Sequence, residues 1–123
     1  MHRSPRVCLM SKLVLVIEDD PDQRRFLERM LGASGYRVVT VADGEAALRD
    51  ASGGKFNIVI LKLDEARRLK ASVAAGLPDA AILPMEALVT QPVIALAKQE
   101  FGRMLVLPAT TKEVFSTVEA AYR

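Results

Sequence analysis

Charged side chains of the types found in binding and catalytic sites stand directly after two apolar segments of the chain. Glu18, Asp19 and Asp20 follow the run Leu13–Ile17, and Lys62 follows a second apolar run. Carboxylates crowded into one cleft repel each other unless a cation is present, and a lysine ammonium on its long stem can be that cation. No glycine-rich loop follows the first run, and its three acids would repel a phosphate group.

The composition argues against several other kinds of site. The only histidine is His2 and the only cysteine is Cys8, so we expect no Ser–His pair, internal disulfide or Cys/His metal centre. Seventeen basic and fifteen acidic residues give a net charge of +2, and there is no tryptophan. A dedicated nucleic-acid surface is therefore not expected, because such surfaces are strongly basic or rich in aromatic side chains.

The length and the apolar segments predict one domain. A chain of 123 residues, 50% of them hydrophobic, is typical of a single globular core. No apolar run approaches the ~20 residues of a membrane helix. We expect residues 1–11 to form a loosely attached tail, too weakly apolar for a signal peptide, and residues 12–123 to form the domain. The prediction is a cytoplasmic protein that does not associate with membranes.

The boundaries of the apolar segments predict alternating strands and helices. Continuous apolar runs are typical of strands buried on both faces of a parallel sheet. We place strands at 13–17, 37–41, 56–63, 80–83 and 104–107. Asp20, Asp43 and Asp64 are expected to cap the helices that follow the first three strands. A capping box that begins at Thr110 predicts a last helix at 111–122.

The segment 92–97 has the composition of a strand, but its position argues for a helix. Only residues 98–103 would connect it to the strand at 104–107, and a parallel crossover needs about a dozen residues. We therefore predict a helix at 92–101. The result is an α/β fold with five βα units: a doubly wound, five-stranded parallel sheet with helices on both faces. Functional residues are expected at the carboxyl ends of its strands.

Three stretches of the sequence together resemble the receiver domain of two-component response regulators. They are LVLVIEDDP at 13–21, GYRVVTVADGEAAL at 35–48 and FNIVILK at 56–62. The match is without a gap over 13–63, whereas 64–123 keep only the order of elements. The resemblance implies a flavodoxin-like fold in which two acids after the first strand bind Mg²⁺. It also implies an aspartate after the third strand that takes a phosphoryl group from a histidine kinase.

The sequence departs from the family where the phosphoryl chemistry is done. By the resemblance, Glu18 and Asp19 match the metal-binding acids, but Lys62 stands at the phosphoacceptor position. The remaining family positions hold Pro84 for the hydroxyl (Ala97 if 92–97 were a strand), Leu107 for the lysine and Met104 for the aromatic residue. A lysine cannot form an acyl phosphate. We therefore predict a non-catalytic pseudo-receiver without a cofactor, in which Mg²⁺ binding is lost or weak.

Lys62 and Asp64 each allow two interpretations. Lys62 is expected to form an ion pair with Glu18 and Asp19 that replaces the metal; alternatively, it is solvated at the mouth of the cleft. Asp64 is expected to be a helix cap; alternatively, it is a displaced phosphoacceptor, because residues two apart share a strand face.

The resemblance also suggests where a partner would bind. In receivers, the usual partner and dimer face lies around the fifth strand and the helices beside it, which here carry Met104, Val93, Ala97 and Phe115. The basic run formed by Arg67, Arg68 and Lys70 is either a solvated helix face or a contact for nucleic acid or an acidic partner.

Three functions remain open on the sequence, two of them receiver functions and the third from a different class. The first is a receiver-like module of phosphorelay signalling that contacts a kinase, regulator or output protein without being phosphorylated, with a homodimer as a further possibility. The second is an active receiver phosphorylated at Asp64. The third is a flavodoxin-like enzyme or nucleotide-binding domain.

Overall fold

The computed structural model describes residues 12–45, 48, 56–87 and 89–122. The strands are β1 Leu13–Ile17, β2 Arg37–Val41, β3 Ile58–Lys62, β4 Ala81–Ala87 and β5 Leu105–Leu107. The helices that the structure describes in full are α1 Pro21–Ala33, α2 Leu63–Gly76, α3 Gln91–Phe101 and α4 Thr111–Tyr122. The predicted tail at 1–11 and most of the predicted helix after Asp43 lie outside the described residues, although Gly44, Glu45 and Leu48 have helical backbone.

The five strands form one parallel sheet in the order β2-β1-β3-β4-β5. The predicted α/β fold with a five-stranded, doubly wound parallel sheet is therefore confirmed. β1 and β3 lie side by side at its centre, with Ile17 opposite Leu61. The residues that follow them, Glu18 and Lys62, consequently emerge together at one edge of the sheet. No helix in the described ranges is both long and apolar enough to cross a membrane.

Two core layers cover the two faces of the sheet, which explains the continuous apolar runs. On one face, Val14, Val16, Ile58 and Ile60 pack with residues of α1 and α4. On the other face, the alternate residues of the same strands pack with α2 through Ala66, Leu69 and Val73. Successive strand side chains point to opposite faces, so a strand with no polar face has to be buried on both.

The helix boundaries follow the local signals that the sequence contains. At α1, Asp20 Oδ1 accepts a hydrogen bond from the Asp22 N–H at 3.2 Å. At α4, the Thr110 hydroxyl accepts from the Glu113 N–H at 3.1 Å, and Glu113 Oε1 accepts from the Thr110 N–H at 2.8 Å. These reciprocal bonds confirm the predicted capping box.

The segment 91–101 is a helix, as the crossover argument predicted. α3 begins at Gln91 with Pro92 in its first turn, and it ends at Phe101, where Gly102 follows as the C-cap with a φ of +87°. Such a backbone angle favours glycine, which has no Cβ to clash.

Two predicted boundaries near strand ends are wrong in ways that affect the site, and β3 also begins at Ile58 rather than at residue 56. β3 ends at Lys62 and α2 begins at Leu63, so Asp64 is not the N-cap but lies in the first turn, where its Oδ1 accepts from the Glu65 N–H at 3.0 Å. β4 extends through Pro84 to Ala87, although it was expected to end at residue 83. Pro84 is tolerated because it precedes the segment that pairs with β5, which begins at Met85. A residue without an N–H is acceptable where one side of a strand is unpaired.

Candidate functional site

An ion pair between β1 and β3 forms the centre of the candidate site. Lys62 Nζ lies 3.8 Å from Glu18 Oε2 and 3.7 Å from Asp19 Oδ1. The side chains of these three residues are 45%, 1% and 78% exposed, respectively. The lysine therefore bridges a buried carboxylate and a solvated one, in the arrangement expected from the sequence.

The backbone around Glu18 fixes this acid in place. Glu18 Oε2 accepts a hydrogen bond from the Asp20 N–H at 3.0 Å, and Arg24 Nη1 donates to the Glu18 carbonyl oxygen at 2.8 Å. Glu18 Oε1 is buried and has no hydrogen-bond partner among the described residues. A buried carboxylate with an unsatisfied oxygen is costly, and a neighbouring positive charge reduces that cost.

The pKa shifts in this cluster follow from burial and from the mutual charges. Burial raises the pKa of Glu18, and the Lys62 ammonium opposes that shift. The hydrogen bond with the Glu18 carboxyl lowers the pKa of Asp19, and Lys62 acts in the same direction. The carboxylate of Glu18, followed by that of Asp19, raises the pKa of Lys62. Lys62 is therefore held as a cation.

Two open cavities flank Lys62, and both are lined by Lys62 and Glu18. A cavity of about 330 Å³ lies towards β2 and α2 and includes Asp43, Asp64 and Glu65. A cavity of about 260 Å³ lies towards β4 and β5 and includes Gln23, Met85, Glu86 and Leu107. Glu86 and Asp64 also favour the charged form of Lys62, so carboxylates surround the ammonium on several sides.

The residues of this site do not fit a bound Mg²⁺. Among the described residues, no group of three or more His, Cys, Asp or Glu side chains is arranged to hold a metal ion. The two acids that would be ligands already share the Lys62 ammonium within 4 Å. A divalent ion at the same acids would be repelled by that positive charge.

Of the other candidate pocket residues, two line a cavity and one lines neither cavity. Leu107 is buried at the end of β5 and lines the smaller cavity. Asp64 is exposed and lines the larger one. Pro84 lies inside β4 and lines neither, so its placement after the strand is corrected: Met85, Glu86 and Ala87 occupy the carboxyl end of β4. The sequence places Glu86 near the carboxyl end of the fourth strand but gives it no role in the pocket, whereas the structure brings it to the cavity that Lys62 lines.

Half of the four residues predicted for the partner surface are buried. Ala97 and Met104 are buried in a third core cluster with Leu63, and Val93 packs against the same cluster. Phe115 packs in the core between α4 and α1, with its ring centre 6.0 Å from that of Tyr36. This part of the prediction is wrong for Ala97 and Met104, since buried side chains cannot contact a partner.

Two apolar side chains of this region that were not predicted as partner contacts are exposed. Leu96 on α3 is 58% exposed and Val106 on β5 is 37% exposed. Helical spacing alone does not decide which of Leu96 and Ala97 faces the core. The small Ala97 is buried because it packs with Leu63, the first residue of α2, and with Met104, the residue before β5.

The basic run on α2 is engaged in ion pairs with the protein itself. Arg67 Nε lies 2.9 Å from Glu100 Oε1, and Lys70 Nζ lies 3.9 Å from Glu100 Oε2. Arg68 contacts Glu65 at 2.8 Å and Glu45 at 3.3 Å. These contacts favour the interpretation of the run as a structural helix face.

Comparison with known proteins gives consistent matches in sequence and in fold. Residues 14–64 match the family described as response regulator receiver domain. The transcriptional regulatory protein PrrA of Mycobacterium tuberculosis is 41% identical over 54 residues, which span 44% of this chain and 23% of PrrA. The regulatory protein PhoP of Bacillus subtilis is 38% identical over 52 residues, or 42% of this chain and 22% of PhoP. The matched segment thus spans about a quarter of these relatives.

The fold is similar to that of solved receiver structures. The chemotaxis protein CheY4 of Vibrio cholerae has a TM-score of 0.74 at 24% identity and covers 90% of this chain and 98% of its own. A response regulator from Thermotoga maritima has a TM-score of 0.76 at 14% identity, covering 91% and 98%.

Proposed function

We propose that this chain, whose residues 14–64 match the response regulator receiver domain and whose fold is similar to that of solved response regulators, signals through protein contacts without being phosphorylated. The observation that carries the proposal is the position of Lys62, whose ammonium is paired with Glu18 and Asp19 at the carboxyl edge of the sheet. An amine cannot form the acyl phosphate that a carboxylate forms. The two acids that would bind a metal already share the Lys62 ammonium.

The rest of the pocket supports this proposal. Transfer of a phosphoryl group needs positive charge to offset the charge that develops on its oxygens. In this pocket the lysine is already committed to two carboxylates, and Asp64 and Glu86 add further negative charge nearby. The protein is accordingly proposed to be a non-catalytic module that needs no cofactor and acts in the cytoplasm.

The proposed partner is a protein: a signalling kinase, a regulator or an output protein. The candidate contact is the surface around Leu96 and Val106, because these apolar side chains are exposed beside the edge strand β5. A second copy of the chain is an alternative occupant of that surface. Nucleic acid is not proposed, since the basic residues of α2 are paired with acids of the same chain.

One observation favours a second candidate function. Asp64 is exposed and lines the larger cavity two residues after Lys62, so its carboxylate is accessible to a small phosphodonor. Its position in the first turn of α2, with Oδ1 bonded to the Glu65 N–H, gives it a structural role as well. No observation favours an enzyme or nucleotide-binding domain, because the carboxylates that line both cavities repel phosphate.

Phosphorylation with a small donor separates the two candidates. The protein is incubated with phosphoramidate and Mg²⁺, and its intact mass is measured beside that of Asp64→Asn. The proposal predicts no phosphoryl adduct on either protein. An adduct on the unsubstituted chain that is missing from Asp64→Asn would overturn it in favour of phosphorylation at Asp64.

A further inference from the structure

The larger cavity beside Lys62 carries an excess of negative charge. Its lining contains five carboxylates and one ammonium, which belong to Glu18, Asp19, Asp43, Asp64, Glu65 and Lys62. The chain as a whole has a net charge of +2, so this excess is a property of the cavity. A cleft lined by charges of one sign concentrates ions of the opposite sign. The cavity therefore favours a cationic ligand.

Two exposed carboxylates of this lining have no cation of their own. Asp43 Oδ1 accepts from the Glu45 N–H at 3.0 Å, and Asp64 Oδ1 accepts from the Glu65 N–H at 3.0 Å. Within the described ranges, neither carboxylate lies within 4 Å of a basic side chain, whereas Glu65 is paired with Arg68. The backbone bonds thus fix both aspartates through Oδ1 and leave Oδ2 of each for a ligand.

Glu18 adds a buried acceptor that lacks a donor. Its side chain is 1% exposed and lines the same cavity. Oε2 accepts from the Asp20 N–H and lies near Lys62 Nζ, but Oε1 has no hydrogen-bond partner in the part of the chain that the structure describes. A buried carboxylate oxygen without a donor is costly. A ligand that brings N–H groups into the cavity would remove that cost.

The arrangement of the carboxylates selects the kind of cation. Among the described residues, no three acids converge as a metal ion requires. A guanidinium group is planar, always charged and has five N–H donors, so it can bridge carboxylates that lie apart, whereas an ammonium is a compact and strongly hydrated charge. The volume of about 330 Å³ lies within the range of small-ligand sites. The cavity is therefore suited to a guanidinium group rather than to a metal ion or a second ammonium.

We propose that this cavity binds an arginine side chain of a partner protein. The guanidinium donates to Glu18 Oε1 and to the Oδ2 atoms of Asp43 and Asp64. Lys62 keeps its contact with Asp19, and the excess of carboxylates outweighs the repulsion between the two cations. The assignment of the arginine to a partner protein rests on the proposed function, but the binding of a guanidinium group by the cavity does not.

Titration with a short arginine peptide tests this site. An acetylated Gly–Arg–Gly amide is added to the unsubstituted chain without a phosphodonor, and the NMR shifts of the Gly44, Lys62 and Glu65 amides are followed. Two further peptides carry lysine or the uncharged citrulline in place of the arginine. We expect saturable shifts with the arginine peptide, weaker binding of the lysine peptide and no binding of the citrulline peptide.

Three variants locate the binding. Asp43→Asn and Asp64→Asn keep the oxygen that accepts the local N–H but remove the charge, and each should weaken binding of the arginine peptide by about two- to fivefold, the range of exposed ion pairs. Asp79→Asn is the matched control. It removes an exposed carboxylate just before β4, at the opposite edge of the sheet, and should leave the affinity unchanged.

Three results would overturn the proposal. They are the absence of saturable shifts with the arginine peptide, equal affinity for the lysine or citrulline peptide, and equal weakening by Asp79→Asn and Asp64→Asn, which would reveal a general effect of charge. An adduct at Asp64 in the phosphorylation experiment would refute the proposed function without altering these titrations, so the two failures are distinguishable.

Discussion

The ammonium of Lys62 lies 3.8 Å from a carboxylate oxygen of Glu18, whose side chain is only 1% exposed. An ionised carboxylate in such surroundings is unfavourable unless a positive charge is near. Lys62 provides that charge from the neighbouring strand, so the chain itself compensates the charge of this buried carboxylate. The stability of the fold is therefore expected to depend on this lysine more than on other surface cations.

Removing the lysine charge should destabilise the protein. Lys62→Met leaves Glu18 buried without a cation, and we expect a loss of about 1–2 kcal/mol in the free energy of unfolding. This range lies between exposed and fully buried ion pairs because the lysine is half-exposed. Urea denaturation measures the loss. Arg25→Met breaks an exposed ion pair with Asp22 and should cost less than about 0.5 kcal/mol. Equal effects of the two substitutions would argue against a special role for Lys62.

The contribution of the ion pair should depend on pH in a defined direction. The pKa of Lys62 is raised in the fold, so its stabilisation is complete below the unfolded value of about 10.4 and is lost as pH rises through the higher folded value. The pKa of Asp19 is lowered, so its stabilisation is present above about 3.9 and is lost as pH falls through the lower folded value.

The acid side of this profile should be broad. Burial raises the pKa of Glu18, so this carboxylate takes up its proton at a higher pH than Asp19. The difference in unfolding free energy between the unsubstituted chain and Lys62→Met, measured by urea denaturation across pH, should form a plateau near neutrality and shrink at both ends. A difference that is constant from acid to strongly alkaline pH would contradict the ion pair.

A methyl group at Gly44 should be destabilising because α2 approaches this residue closely. A Cβ at Gly44 would lie 2.6 Å from Leu69 Cδ1 and 3.4 Å from Ile17 Cγ2, both in the core layer beneath α2. We expect Gly44→Ala to cost about 1–3 kcal/mol by overpacking. Gly32 in α1 has no atoms within 4 Å of such a Cβ, so Gly32→Ala should instead stabilise by about 0.5–1 kcal/mol. Thermal unfolding of the two variants would show opposite shifts, and shifts of the same sign would refute this account of the packing.

The sequence predicts the sheet and most helix ends because these are determined by local signals. Alternating burial makes β1 and β3 continuously apolar, and Asp20 and Thr110 cap their helices with their own side chains. The limits of β4 were not predictable in this way. Pro84 is permitted in that strand only because pairing with β5 starts one residue later, which is a property of the tertiary register.

The sequence likewise predicts only the part of the candidate site that local signals determine. Lys62 and Glu18 follow directly from strand ends that the pattern identifies. Glu86 depends on where β4 stops, and the exposure of Leu96 beside the buried Ala97 depends on how α3 packs against Leu63. Whether these residues line the site or are exposed is therefore determined by contacts between elements and not by the periodicity of a single element.

The capping box of α4 should contribute measurable stability. Thr110→Ala removes the hydroxyl that accepts from the Glu113 N–H, and we expect a loss of about 1 kcal/mol. Thr90 occupies the same N-cap position at α3 but makes no side-chain capping bond, so Thr90→Ala should cost clearly less. Urea denaturation compares the two threonines directly, and equal losses would show that the hydrogen bond at Thr110 is not the source of its effect.

The response of the protein to Mg²⁺ tests the internal cation most directly. Thermal unfolding is measured with and without Mg²⁺ for the unsubstituted chain and for Lys62→Asp, which exchanges the ammonium for a third carboxylate. A ligand that binds only the folded state raises the midpoint of unfolding. We predict that Mg²⁺ leaves the midpoint of the unsubstituted chain unchanged and raises that of Lys62→Asp. An equal rise for both proteins would contradict the claim that Lys62 takes the place of the metal.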